Sequence, residues 1–351
     1  MQDADTSFNP DVADLSQNEW QAAVRAVAEE HGFFESLGKK HFAAHVRRGD
    51  TLIVSFESIQ GMQALTSGAE PLGWTFVRQQ DWSSLCIAAD GDTWFRDADV
   101  IGLFDRLVDD GFFDEFETVL FYGAGPCGYA AAAFSVAAPG ARVFAVQPQA
   151  TLDPRMTEWD SRFVEMRRTD FTVRYGYAPD MLDACAQAFV VYDPHEQLDA
   201  MHATLFATSG AVPLRMPRMG DTLQSDLVRM RILTPMLIET ADGTLDQNVF
   251  AKHYRARRTF LPYQRRLMAA LDGAERTAFT YLLAHIVAQR IQAPRSFRPL
   301  AANEAACAAA HQSAENSAPD PLWGSHLRPH PYLRACHYGP HECPSRPTAP
   351  S

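Results

Sequence analysis

The chain has 351 residues, of which 46% are hydrophobic and 21% charged, and it carries a formal net charge of −12. A chain of this length can bury a full core as one large domain or two smaller ones. Its acidity argues against nucleic-acid binding, which needs a basic footprint to displace counterions, and against an anionic membrane surface. No apolar run approaches a spanning helix, and the acidic N-terminus MQDADTSFNPDV is unlike a signal peptide. The expected location is therefore cytoplasmic.

In chain order, residues 1–16 are polar and read as a flexible N-terminus. Ser16 is an N-cap for a helix over 17–30, with Trp20, Val24 and Val27 on one face. TLIVSF at 51–56 is a strand, 61–73 a loop, 74–77 and 85–88 short strands, and 97–108 a helix. Residues 117–149, ETVLFYGAGPCGYAAAAFSVAAPGARVFAVQPQ, organise the rest. A strand over 118–122 meets a Gly123-Ala124-Gly125-Pro126 turn, a small-residue helix runs from Cys127 to about 138, and a second strand covers 142–146. This is a βαβ unit, which demands a right-handed crossover and a parallel sheet.

A charged, irregular excursion follows at 153–180, of the kind that serves as a lid or insertion near a site. AFVVY at 188–192 is a buried strand ending in Asp193-Pro194; then come a helix over 196–207, a strand over 212–216 and a helix from Gly220-Asp221 to 232. Strands alternating with helices specify a doubly wound, mostly parallel α/β sheet. Helical patterns then occupy 244–258, 261–271 and 274–291, with RARR and QRR read as a solvated or sheet-packing face. The domains expected are an α/β domain over 17–240, a helical segment packing on it over 241–292, and a disordered tail over 293–351.

Gly123-Ala124-Gly125-Pro126-Cys127-Gly128-Tyr129, set between strand and helix, resembles the nucleophile elbow of the α/β-hydrolase superfamily. It is most similar to a bacterial hydrolase-like group whose elbow reads Gly-x-Ser-Met-Gly-Gly-Tyr. WTFVR, TWFRDAD, QPQATLDPR, VVYDP and the Gly220 helix also resemble that group, over roughly residues 50–260. Some of its members carry a phosphoadenosine-phosphosulfate reductase label; here neither a serine- and glycine-rich nucleotide loop nor a paired C-terminal cysteine motif supports that activity. The resemblance implies a serine nucleophile, an oxyanion-binding N–H, a histidine and an acid. Those positions fall on Gly125, Pro126, Asp221 and Asp193, so only the acid is retained.

Gly125 has no nucleophilic atom, and Pro126 has no N–H to donate. Losing one oxyanion donor alone costs about 10²- to 10³-fold in rate. Serine hydrolysis is therefore not expected, and the main reading is a catalytically degenerate relative that binds a small ligand or a protein partner in the old cleft. The alternative is a non-serine hydrolase or transferase using Asp153, Asp193, Asp221 and His195 as acid–base groups. The N–H groups of Cys127, Gly128 and Tyr129 at the helix start, completed by Arg155 and Arg162, form a candidate anion site with Gly125, and Asp153, past a strand's carboxyl end, is a further candidate ligand contact.

Cys127 reads as a small buried hydrophobe rather than a reactive thiol, and Cys86 and Cys185 likewise. His202 is a packing residue on a helix rather than a base. CHYGPHEC at 336–343 lacks the spacing of a zinc finger, so no metal and no cofactor are expected.

Overall fold

In a computed structural model, residues 8–290 are described, apart from 9, 66 and 67; the expectations for the far tail, including CHYGPHEC, lie outside them. Eight strands form one sheet: β1 (Gly32–Leu37), β2 (His41–Val46), β3 (Thr51–Ser58), β4 (Ser83–Ala89), β5 (Thr118–Ala124), β6 (Arg142–Val146), β7 (Gln187–Tyr192) and β8 (Val212–Arg215). Their order is β1-β2-β4-β3-β5-β6-β7-β8. From β4 through β8 every pairing is parallel, whereas β2 runs antiparallel to both β1 and β4. Between β3 and β5 the winding direction reverses, and a doubly wound sheet opens a crevice at the carboxyl ends of such a pair.

The central strands are apolar on both sides because helices cover both faces. β3 and β5 divide their residues alternately: Leu52, Val54, Phe56 and Phe121 enter one core, and Ile53, Leu120 and Tyr122 the other. The helices flanking β1 to β6 are α1 (Gln17–His31), α2 (Ile59–Leu65), α3 (Leu72–Gln80), α4 (Ala98–Asp109) and α5 (Pro126–Phe134). α4 begins where the sequence predicts, with the Asp97 carboxylate accepting from the Asp99 N–H. Short α6 (Pro154–Thr157) opens the excursion after β6, and α7 (Gln197–Thr208) returns the chain to the sheet. α8 (Leu223–Arg229), α9 (Leu233–Ala241) and α10 (Gln247–Tyr254) follow β8. The described residues end in α11 (Leu261–Gly273) and α12 (Thr277–Arg290). A first compact unit extends to Ala270 and a second begins at Leu271.

Three sequence expectations are corrected. Residues 74–77 are helical, within α3, because Trp74 and Val77 sit three apart on the buried side of a helix that closes with an αL cap at Asp81. The 61–73 loop contains most of α2. β1 and β2 go unrecognised in the sequence, where FFESL and HFAAHV lack strict alternation; they form a hairpin around Gly38, whose φ is 63°. The remaining strands fall within a few residues of their expected ends.

Candidate functional site

β5 ends at Ala124, and the chain reverses into α5 through Gly125 at φ 57° and ψ −123°, a combination that a residue with Cβ adopts only under strain. Gly125 N–H donates to Val146 O at 2.8 Å, which fastens the turn to the end of β6. Pro126 occupies the first helical position, where a missing N–H costs nothing. Gly123 is required by space: a Cβ there would lie 2.1 Å from the Cys127 carbonyl. Around a Cβ on Gly125, by contrast, no atom lies within 4 Å. The turn is thus a strand-to-helix elbow whose central position faces open space with no side chain.

Two cavities flank the elbow. One, about 360 Å³, is lined by Gly125, Pro126, Gln147, Gln149, Arg162, Phe163, Asp199, Asp221, Thr222, Gln224 and Ser225, among others. The other, about 90 Å³, lies between the ends of β3, β4 and β5, with Glu57, Asp92, Cys127 and Gln224 on its wall. A further cavity of about 370 Å³ continues past Glu57 and Gln224 toward Leu72 and Val228. Gln224 borders all three, held by its Nε2 donating to the Tyr122 hydroxyl at 2.9 Å. No histidine is among the described residues lining them.

The wall on the β6–β7 side is built from paired groups. Gln147 donates to Asp199 Oδ2 at 2.7 Å and accepts from the Leu223 N–H at 3.1 Å. Arg162 reaches Asp199 at 2.6 Å and Asp160 at 2.8 Å. Burial opposes ionisation of Asp160, yet hydrogen bonds from His202 and Arg162 hold its carboxyl well below the usual range. His202 is fully buried; its Nδ1 accepts from the Ala150 N–H at 3.1 Å, so the proton sits on Nε2 and is donated to Asp160 at 3.0 Å. Desolvation lowers its pKa and keeps the ring neutral. His202 therefore ties the 153–180 excursion to the sheet rather than serving the cleft.

Of the predicted residues, Gly125, Cys127, Arg162 and Asp221 line the cavities. Burial, followed by the nearby carboxyls of Glu57 and Asp92, pushes the Cys127 thiol far above its ordinary value, which leaves it un-ionised. Gly128 lets α5 approach β6, since a Cβ would sit 3.1 Å from Val146 O. Tyr129 points away and donates to the carbonyls of Tyr175 and Gly176 at 2.8 and 3.1 Å. Asp153 caps α6 and ion-pairs with Arg155 at 2.6 Å, so Arg155 is neutralised by its own neighbour.

Asp193 lies at the end of β7 with 1% exposure and lines none of the three cavities. Its Oδ1 accepts from the N–H groups of His195 and Arg218, and its Oδ2 accepts from the Gly220 N–H at 2.7 Å. Desolvation works against its charge, but these donors more than offset it and hold the carboxyl below the usual range. His195 contacts Asp193 through Nδ1 at 3.1 Å and lines none of these three cavities.

Sequence reasoning passed over Glu57, Gln147, Gln149 and Gln224. All but Gln224 stand at or just past the carboxyl end of a central strand, a position that marks ligand contacts in doubly wound sheets. Glu57 is the least expected of them. Burial raises its pKa, although the Ser55 hydroxyl and the Leu72 N–H, at 2.6 and 3.0 Å, both donate to it.

This sheet order, with an elbow after the fifth strand, is a doubly wound, mostly parallel α/β fold. No family model matches the sequence, and no curated protein does. Among solved structures the chain is similar to an acylaminoacyl peptidase from Pyrococcus horikoshii, at 10% identity and TM-score 0.42 over 62% of this chain. It spans 42% of that peptidase. It is also similar to the carboxylesterase EstE1, cloned from a metagenomic library, at 14% identity and TM-score 0.39, over 69% of this chain and 98% of that one. Brefeldin A esterase, a bacterial homologue of human hormone-sensitive lipase, shows 13% identity and TM-score 0.35, over 68% and 84%. At such identities and scores these proteins carry no argument about activity.

Proposed function

We propose that this chain is a catalytically degenerate α/β-hydrolase-like protein that binds a small ligand in the cleft around Gly125. The observation that carries the reading is the elbow itself: a positive-φ turn, open space above it, no nucleophilic atom at 125, and no imidazole among the described residues of the lining. The retained acid supports the same reading, because its oxygens hold the backbone of residues 195, 218 and 220. A cleft of about 360 Å³ is in the range that accepts small molecules rather than a protein segment.

The test is two-sided. The protein should neither label with a fluorophosphonate probe nor turn over p-nitrophenyl esters. Fragments that bind in ligand-observed NMR should be lost when Ser225→Trp fills the cleft mouth. Ester turnover that disappears in Asp221→Ala would overturn the reading.

A second reading, an acid–base enzyme without a serine, is favoured by Glu57, a buried carboxyl with a raised pKa on the wall of the smaller cavity. Turnover of any substrate that is lost in a folded Glu57→Gln variant would support it.

A further inference from the structure

The arginines expected near the elbow are already neutralised: Arg155 by Asp153, and Arg162 by Asp160 and Asp199. Unpaired arginines gather elsewhere. Past the ends of β7 and β8, against α10 and the turn after it, lies a groove of about 580 Å³. Its lining is Pro194, His195, Arg215, Pro217, Phe250, Ala251, Tyr254, Arg255, Arg257 and Arg258. It holds four guanidinium groups and no carboxylate. Arg215, Arg255 and Arg258 are exposed, and among the described residues none of them has an acidic partner.

Arg257 is the built part of this groove. Its guanidinium lies 3.9 Å over the Tyr254 ring and donates to the Tyr254 carbonyl at 2.7 Å. Tyr254 is fixed in turn, with its hydroxyl donating to Pro217 O at 2.8 Å and its ring stacked on Phe250. The floor is therefore rigid and apolar, and the fork of Arg257 is oriented before any ligand arrives, which lowers the entropic cost of binding. Four guanidiniums in one concavity repel one another, and among its described lining residues none is a carboxylate, in a chain whose net charge is −12.

We infer that this groove binds a small molecule carrying two or more phosphate groups. Guanidinium forks match phosphate oxygens bidentately, and a di- or oligophosphate supplies several negative charges within a volume of this size. The acidity of the whole chain disfavours a nucleic acid as the occupant. The site is separate from the elbow cleft, with no lining residue in common.

Isothermal titration of the full chain with inorganic pyrophosphate is the direct test, with sulfate and hexaglutamate as competitors. Pyrophosphate should bind with a Kd that weakens as salt rises. The double variant Arg255→Gln/Arg258→Gln should weaken binding at least tenfold, Arg215→Gln should weaken it less, and Ser225→Trp in the elbow cleft should leave it unchanged. All three arginines are exposed, so these variants should keep the parent's circular dichroism. Absence of pyrophosphate binding, binding indifferent to the double variant, or hexaglutamate competing as well as pyrophosphate would each overturn the inference, the last by making the groove a dock for an acidic polypeptide.

Discussion

Gly125 and Asp193, the positions where the resemblance places a nucleophile and an acid, are used by the fold in contrasting ways. At Gly125 the backbone turns sharply, φ 57° and ψ −123°, and presents no side chain to the cleft. At Asp193 a carboxylate is present, but it stands outside the cleft lining and is bonded to three backbone N–H groups. One position offers geometry without a reactive group, and the other spends its reactive group on structure. Glycine takes the turn's conformation without cost, and a buried carboxylate in this setting could not be removed without stranding its donors.

The largest expected effect therefore belongs to Asp193. Asp193→Ala should destabilise the protein by roughly 4 kcal/mol, because the N–H groups of residues 195, 218 and 220 lose a buried acceptor. Urea unfolding measures this, and a loss near zero would return Asp193 to the list of free functional acids.

Acid separates this corner from the rest of the fold. Held below its usual pKa, Asp193 contributes stability above about pH 4 and loses it only as pH falls further. His45 responds earlier. Desolvation, with a smaller push from Arg47, lowers its pKa to about 4, and Phe33, Phe112 and Phe116 enclose the ring. Its folded form binds fewer protons than the unfolded chain between about pH 6.5 and 4, so up to about 3 kcal/mol should be lost on acidification through that window. Burial shifts His41 and His202 in the same direction. His45→Phe should flatten the upper part of the pH–stability curve while leaving the fall below pH 4.

Two glycine substitutions sharpen the other half of the comparison. Gly123→Ala should cost about 2–3 kcal/mol, since its Cβ would meet the Cys127 carbonyl at 2.1 Å and neither backbone can yield freely. Gly125→Ser should cost only about 1–2 kcal/mol, the strain of positive φ without a clash. The introduced hydroxyl should still fail to label with a fluorophosphonate, because no histidine among the described residues lines the cleft to take its proton. Thermal melts rank the two variants, and a reversed order would break the account of the turn.

Much of the fold was legible because its signals are local. The apolar runs of β3, β5, β6 and β7, the glycine turn at 123–126 and the helix beginning near residue 97 each show within a few consecutive residues. α3 was misread because Trp74 to Val77 is rich in β-formers, and only its packing on the sheet selects the helix. The site was less legible. Asp153, Arg155 and Tyr129 were singled out near the elbow in sequence, yet their hydrogen bonds satisfy loops and caps.

By itself the sequence determined a doubly wound sheet, a glycine turn between the strand at 118–122 and the helix after it, and the absence of a nucleophile and an oxyanion N–H at residues 125 and 126. Those follow from side-chain periodicity and from what glycine and proline lack. Only the tertiary structure decided how each charged group is engaged. Arg155 and Arg162 meet carboxylates, Asp193 meets backbone N–H groups, and Arg215 comes to rest beside Arg255 and Arg258, some forty residues away in the chain. Pairing of charge depends on distances across the fold, and sequence separation does not set those distances.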